Sequence, residues 1–312
     1  MKNLIPNFIK SQHIALSIIG LLALAAPPAT ALSLGVSPTR VELDINANKT
    51  RTYSVRVVNP SNKPIEVQAL VRSWVMGKDN KLQVAPASEQ SLSQWIVFTP
   101  SRFKVSPGGS QTVRFSVRPK VQPQPGEHRA VIYFQEVPAE SKSNSVRVVG
   151  RLGVVIYGYV GDIKRAGLLN SVNVETKSNQ IQAVFDISNQ GNAHIRLNGQ
   201  YAIWPAAKYP GAAATKPINN LQNSKSQLPE NVLDAGTLPN TPVLPSDRRN
   251  INLPIPKTLP PGNYVLDING SLADTQIQQG IPFTVTAAAN ESKPKPASNQ
   301  LRNQLRNSPR RR

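Results

Sequence analysis

The sequence predicts an all-β protein made of two β-sandwiches, and three observations predict it. Short runs rich in β-branched and aromatic residues recur along the chain, and several alternate with period two. Pro and Gly clusters separate these runs, as at Asn59-Pro60-Ser61, Pro107-Gly108-Gly109 and Pro123 to Gly126. No amphipathic run is long enough for a helix, and short strands at this spacing imply sandwiches.

The elements follow in order. Residues 1–31 form a leader with Lys2 and Lys10, an apolar stretch from Ile14 to Ala26, and an Ala29-Thr30-Ala31 cleavage site. A mature chain is expected to start at Leu32. No later stretch reaches the roughly 20 apolar residues of a membrane helix, so an exported, soluble protein is expected. Strands are predicted at Val36 to Leu43, Arg51 to Asn59, Ile65 to Trp74, Gln111 to Val117, Ala130 to Glu136 and Val146 to Tyr157. In Thr52 to Val57 the apolar residues 53, 55 and 57 face one way and the polar ones the other. Gly158 to Gly167 reads as a linker, so the first domain is set at 32–160. Strands resume at Ile181 to Ser188, Ile195 to Trp204, Arg249 to Ile255, Tyr264 to Gly270 and Ile277 to Val285, within a second domain at 161–289. Pro205 to Asn231 reads as a long surface loop, and 290–312 as a disordered basic tail.

Composition narrows the function. The chain has 312 residues, 36 Lys plus Arg, 17 Asp plus Glu, no Cys and a net charge of +19. Without Cys there is no disulfide, thiol nucleophile or Cys-bound metal. His128 and His194 stand alone, one beside a Pro-Gly turn and one after a hairpin turn, and structural roles are expected for both. With no nucleophile elbow, phosphate loop or spaced carboxylate cluster, binding is expected rather than catalysis, with no cofactor and no metal. Export and an aromatic content of 5% argue against nucleic acid. Charge is uneven: net +9 over 32–160, +2 over 161–289 and +6 over 290–312. The tail arginines, Arg302, Arg306, Arg310, Arg311 and Arg312, suit contact with anionic envelope polymers.

A further set of residues carries a resemblance. Val36-Ser37-Pro38-Thr39-Arg40-Val41, Val57 to Pro64 (VVNPSNKP), Ile96 to Gly108 (IVFTPSRFKVSPG), Gln111 to Phe115 and Gly126 to Pro138 occur in an order and spacing that resembles the N-terminal domain of the PapD-like periplasmic pilus-assembly chaperones. The resemblance implies two immunoglobulin-like sandwiches with a cleft between them. It implies secreted fibre subunits as partners, with an outer-membrane usher as a further candidate. It also implies that a long strand of the chaperone completes a subunit lacking its own last strand, by β-augmentation. The family's carboxylate-gripping Arg maps onto Arg40. Its second basic anchor, a Lys, has Val154 at the aligned position, and Arg151 is the nearest cation. The donor strand maps onto Ser145 to Val155, with Val146, Val148, Leu152 and Val154 on one face. That face suits either a subunit's groove or the protein's own core. Residues 205–231 and the tail lie outside the family pattern. A different class, a non-catalytic envelope-associated adhesion or scaffold protein built from the same sandwiches, is the alternative.

Overall fold

The computed structural model describes residues 34–46, 50–138, 149–177, 180–221 and 227–286. The chain divides into two units. Unit 1 comprises the chain up to Trp74, with Val84–Pro123 and His128–Gly158, and unit 2 comprises Val75–Gln83, Gln124–Glu127 and everything from Tyr159 on. Among the described residues no helix is long and apolar enough to cross a membrane.

Unit 1 is built on two sheets. The first has the order β1 (Gly35–Ser37), β3 (Thr52–Val58), β8 (Ser110–Val117), β6 (Ile96–Thr99). The second runs β2 (Arg40–Asp44), β10 (Arg151–Val160), β9 (Gly126–Glu136), β4 (Ile65–Met76), β5 (Leu82–Ala85), with β7 (Arg102–Val105) also pairing β4. The period-two pattern does what it should: Val55, Val57, Val113 and Phe115 are buried while Ser54, Arg56 and Arg114 are exposed. A single-turn helix, α1 (Leu92–Trp95), buries Leu92 and Trp95.

Unit 2 pairs a three-stranded sheet, β11 (Gly167–Lys177), β12 (Gln180–Asn189), β15 (Arg248–Ile255), with a four-stranded one, β14 (Asp234–Thr237), β13 (Leu197–Pro205), β16 (Gly262–Leu272), β17 (Thr275–Val285). Phe185, Ile187, Ile195, Leu197, Ile203, Leu266 and Ile268 lie at the centre of its core.

Four expectations change. The single strand at 36–43 is two, β1 and β2, in different sheets, because Pro38 between them has no N–H for a ladder. The linker at 158–167 is shorter, since β10 continues to Val160 and β11 begins at Gly167. Gly158 sits inside the strand because a Cβ there would lie 2.5 Å from Ile45 Cδ1. β11 escapes the sequence pattern because a register shift between Leu169 and Ser171 breaks its alternation. The expected loop after Pro205 is ordered where described. It makes two 3₁₀ turns, at Ala206–Lys208 and Ala212–Ala214, and is bonded to the sheet. Tyr209 donates to Asp267 Oδ1 at 2.8 Å, and Gln278 donates to the Ala212 carbonyl at 2.7 Å.

Both histidines among the described residues are held by neighbours. His128 Nδ1 lies 2.8 Å from the Gln90 carbonyl. In unit 2, Glu127 Oε2 accepts the His194 backbone N–H at 2.7 Å and lies 2.6 Å from its Nδ1.

Candidate strand-pairing site

The expected binding residues fall on the second sheet of unit 1. β10 lies between β9 and β2. On the β9 side, Glu136 N–H donates to the Gly150 carbonyl at 2.9 Å. On the β2 side, Val155 N–H donates to the Thr39 carbonyl at 3.1 Å, and the Ile45 side chain approaches Gly158. β2 is five residues long and β10 is ten. These two contacts on the β2 side fall at Val155 and Gly158.

The two glycines that weaken this segment as an isolated strand have local partners. A Cβ on Gly153 would come 3.0 Å from Val131 Cγ2 and 3.1 Å from Tyr133 Cε1. The bare backbone leaves room for the Tyr133 ring, and the Arg151 guanidinium covers that ring at 3.7 Å. A Cβ on Gly150 would lie 3.0 Å from Glu136 Oε1. Tyr133 and Glu136 thus shape the entrance to β10. The signal for Tyr133 was present in the sequence: it alternates with Ile132 and Phe134, both fully buried, and so had to face the other side.

Arg40 opens β2. Its side chain is 47% exposed and its Nε lies 3.3 Å from Glu42 Oε1. An exposed pair of this kind is worth under about 1 kcal/mol, so a carboxylate offering both oxygens to the guanidinium can replace it. Thr39, the residue before Arg40, meets Val155, four residues along β10 from Arg151, which is about 13 Å at strand rise. Arg151 itself is engaged on Tyr133.

Val146 and Val148 lie outside the described residues. Val149, just before the strand, is 37% exposed. Leu152 is half-buried, whereas Val154 is 0% exposed. Of the two roles open to that face, Val154 fills the core role. Among the described residues, no group of three or more His, Asp or Glu is placed to hold a metal ion.

The comparisons with known proteins bear on this same region. Residues 33–156 match the profile of the pili and flagellar-assembly chaperone, PapD N-terminal domain. No curated protein matches the sequence. Among solved structures, the YadV chaperone is similar at 11% identity, over 80% of this chain and 100% of that one, with a TM-score of 0.43. The class 5 fimbriae chaperone CfaA is similar at 14% identity, over 82% and 100%, with a TM-score of 0.39. A chain of the Salmonella enterica SafA pilin–SafB chaperone complex is similar at 16% identity, over 83% and 98%, with a TM-score of 0.39.

Proposed function

Residues 33–156 carry the PapD N-terminal domain of the pili and flagellar-assembly chaperones, and from that premise we propose that this protein is a periplasmic chaperone that caps pilus-like fibre subunits by strand donation. The observation that carries the reading is where the matched segment ends. It closes at residue 156, inside β10, the strand that meets Thr39 at Val155 and Ile45 at Gly158.

The mechanism is backbone pairing without covalent chemistry. A subunit lacking its last strand exposes a groove and an unpaired edge, both prone to aggregation. The segment from Ser145 into β10 offers main-chain donors and acceptors to that edge. Val146, Val148 and Leu152 enter the groove, while Val154 stays in the chaperone's core and holds the strand in place. Arg40 receives the subunit's terminal carboxylate and sets register. A charge-assisted bond of this kind contributes about 1.5–3 kcal/mol. Arg151, packed on Tyr133, holds the entrance to the strand and lends positive charge to the same edge. Export through the 1–31 leader, cut after Ala31, delivers the protein to the compartment where such subunits appear.

The test is co-expression with a fibre subunit that lacks its last strand, followed by purification. The wild-type protein is expected to yield a stable complex. V146D/V148D is expected to abolish it, and Arg40→Ala to weaken it at least tenfold. An unchanged complex in both variants would refute strand donation and favour the envelope scaffold reading.

A further inference from the structure

Unit 1 separates its charges by sheet. None of the four strands β1, β3, β8 and β6 contains an Asp or Glu. The other sheet carries the carboxylates: Glu42 and Asp44 on β2, Glu66 on β4, and Glu127 and Glu136 on β9. On the acid-free sheet, Arg56 and Arg114 are exposed on the outward face, and Arg118 extends the same alternation just past the end of β8. Arg56 stands opposite Thr112, and Arg114 is flanked by Ser54 on β3 and Thr99 on β6. The three cations therefore form a row along β8, spanning about 20 Å at strand rise. Arg56 is steered by its own sheet, donating from Nε to Ser110 Oγ at 3.0 Å. None of the three makes an ion pair with a described carboxylate.

We propose that this outward face is a docking surface for a linear acidic polysaccharide. Charge complementarity asks for an anion, and the row asks for a linear one. The rest of the face is hydroxyl-bearing, with Ser54, Thr99, Ser110 and Thr112 around the guanidiniums, and hydroxyls hydrogen-bond a polyol backbone. The aromatic residues of these strands turn inward: Phe115 is 1% exposed and stacks on Tyr53 at 5.4 Å. The face therefore offers no stacking platform for the bases of a nucleic acid. Its one large exposed apolar side chain is Val97, 53% exposed, which falls short of the apolar stripe that a membrane-lying surface needs. This surface is separate from the strand-pairing edge, so the two proposals stand or fall independently.

The experiment measures binding of the full chain to immobilised polygalacturonate at low and at near-physiological ionic strength. Binding is expected, and it weakens with salt because exposed charges are screened. The triple variant R56Q/R114Q/R118Q is expected to bind roughly tenfold more weakly, the scale of three exposed ion pairs, with its circular dichroism melt and its capture of fibre subunits unchanged. A second variant, S54E/T112E, places acids on the same face and is expected to lose binding as well. Three results would overturn the proposal. One is absence of binding. Another is equal binding by both variants, with loss only when Arg302, Arg306, Arg310, Arg311 and Arg312 are changed to Gln. The third is equal or tighter binding to a single-stranded oligonucleotide or to anionic phospholipid vesicles.

Discussion

In unit 2, β16 and β17 turn on Ala273 and Asp274 and stay in register from Leu272 opposite Thr275 to Gly262 opposite Val285. In unit 1, β9 and β10 are joined by residues 137–150. The strands that begin these two pairs are alike. β9 and β16 are both eleven residues long, and each starts at the Gly of a Pro-Gly-x-ring sequence, Pro125-Gly126-Glu127-His128 and Pro261-Gly262-Asn263-Tyr264. In each, the ring reaches a carbonyl: His128 Nδ1 lies 2.8 Å from Gln90 O, and the Tyr264 hydroxyl donates to Pro260 O at 2.8 Å. Each unit also stacks a cross-strand aromatic pair, Tyr53 on Phe115 at 5.4 Å and Tyr264 on Phe283 at 5.6 Å.

A buried asparagine locks each sandwich in the same way. Asn59 is 0% exposed and Asn189 is 3%. Each donates from its amide to the carbonyl four residues on, Lys63 or Ala193, and to a distant carbonyl, Val105 or Val243. Each accepts from the backbone N–H two residues on, Ser61 or Gly191. Two copies of one plan thus share their locks and differ in the connection before the last strand. A two-residue turn joins the pair in unit 2, whereas fourteen residues, 137–150, join it in unit 1. Under the proposed function, this difference is where unit 1 departs from the more regular unit 2.

Replacing residues 139–148 by a short Gly-Ser turn would make unit 1 resemble unit 2. Capture of fibre subunits is expected to vanish in a pull-down. Stability should move by under about 1 kcal/mol, because closure entropy changes slowly with loop length. Next in size, Asn59→Ala and Asn189→Ala each strand several buried polar groups and should cost about 3 kcal/mol. Denaturant unfolding would check this, and a matched loss in the two variants would confirm that the locks are equivalent. The asparagine turns also offer an asymmetric exchange. A Cβ at Gly191 would meet the Lys164 carbonyl oxygen at 2.1 Å, so Gly191→Ser should cost about 2 kcal/mol or more by overpacking. The reverse change, Ser61→Gly, removes a hydroxyl whose bonds are to Asn59 Oδ1 at 2.6 Å and to the Lys63 carbonyl and N–H at 3.0 and 3.4 Å, and should cost about 1 kcal/mol. Equal effects in the two would break the comparison.

The smallest effects are pH-dependent and lie within unit 2. Burial holds the Asp267 carboxyl above the usual carboxylate range. The folded state then keeps its proton longer than the unfolded chain, so this group's contribution to stability falls as pH rises from about 3.8. The Arg248 guanidinium, hydrogen-bonded to Asp186, holds that carboxyl below its usual range. Its contribution is present above about 3.8 and is lost as pH falls through the lowered value. Melting temperatures from pH 3 to 7, compared with Asp267→Asn and Asp186→Asn, should diverge from wild type in opposite directions.

Most strands could be read from the sequence because a half-buried strand writes its two faces at alternate positions, as Thr52 to Val58 and Gln180 to Asn189 do. The Asn59 turn could be read too, since Asn-Pro-Ser after an apolar run has few other uses. β11 could not, because its bulge shifts the alternation midway. Nor could the second anchor be settled: at Arg151 the sequence shows a cation of the right type, and the ring it covers lies on another strand.

The sequence by itself determined the sandwich class and the positions of most strands, and it carried the motifs whose resemblance pointed to Arg40 and to 145–155. These are properties of residue type and spacing along one stretch of chain. Only the tertiary structure decided that Val154 belongs to the core, that Gly153 exists to admit Tyr133, and that the acid-free strands lie together in one sheet. Each of those depends on which distant strand becomes a neighbour, and strand pairing between remote segments is set by the packing of the whole sandwich rather than by local pattern.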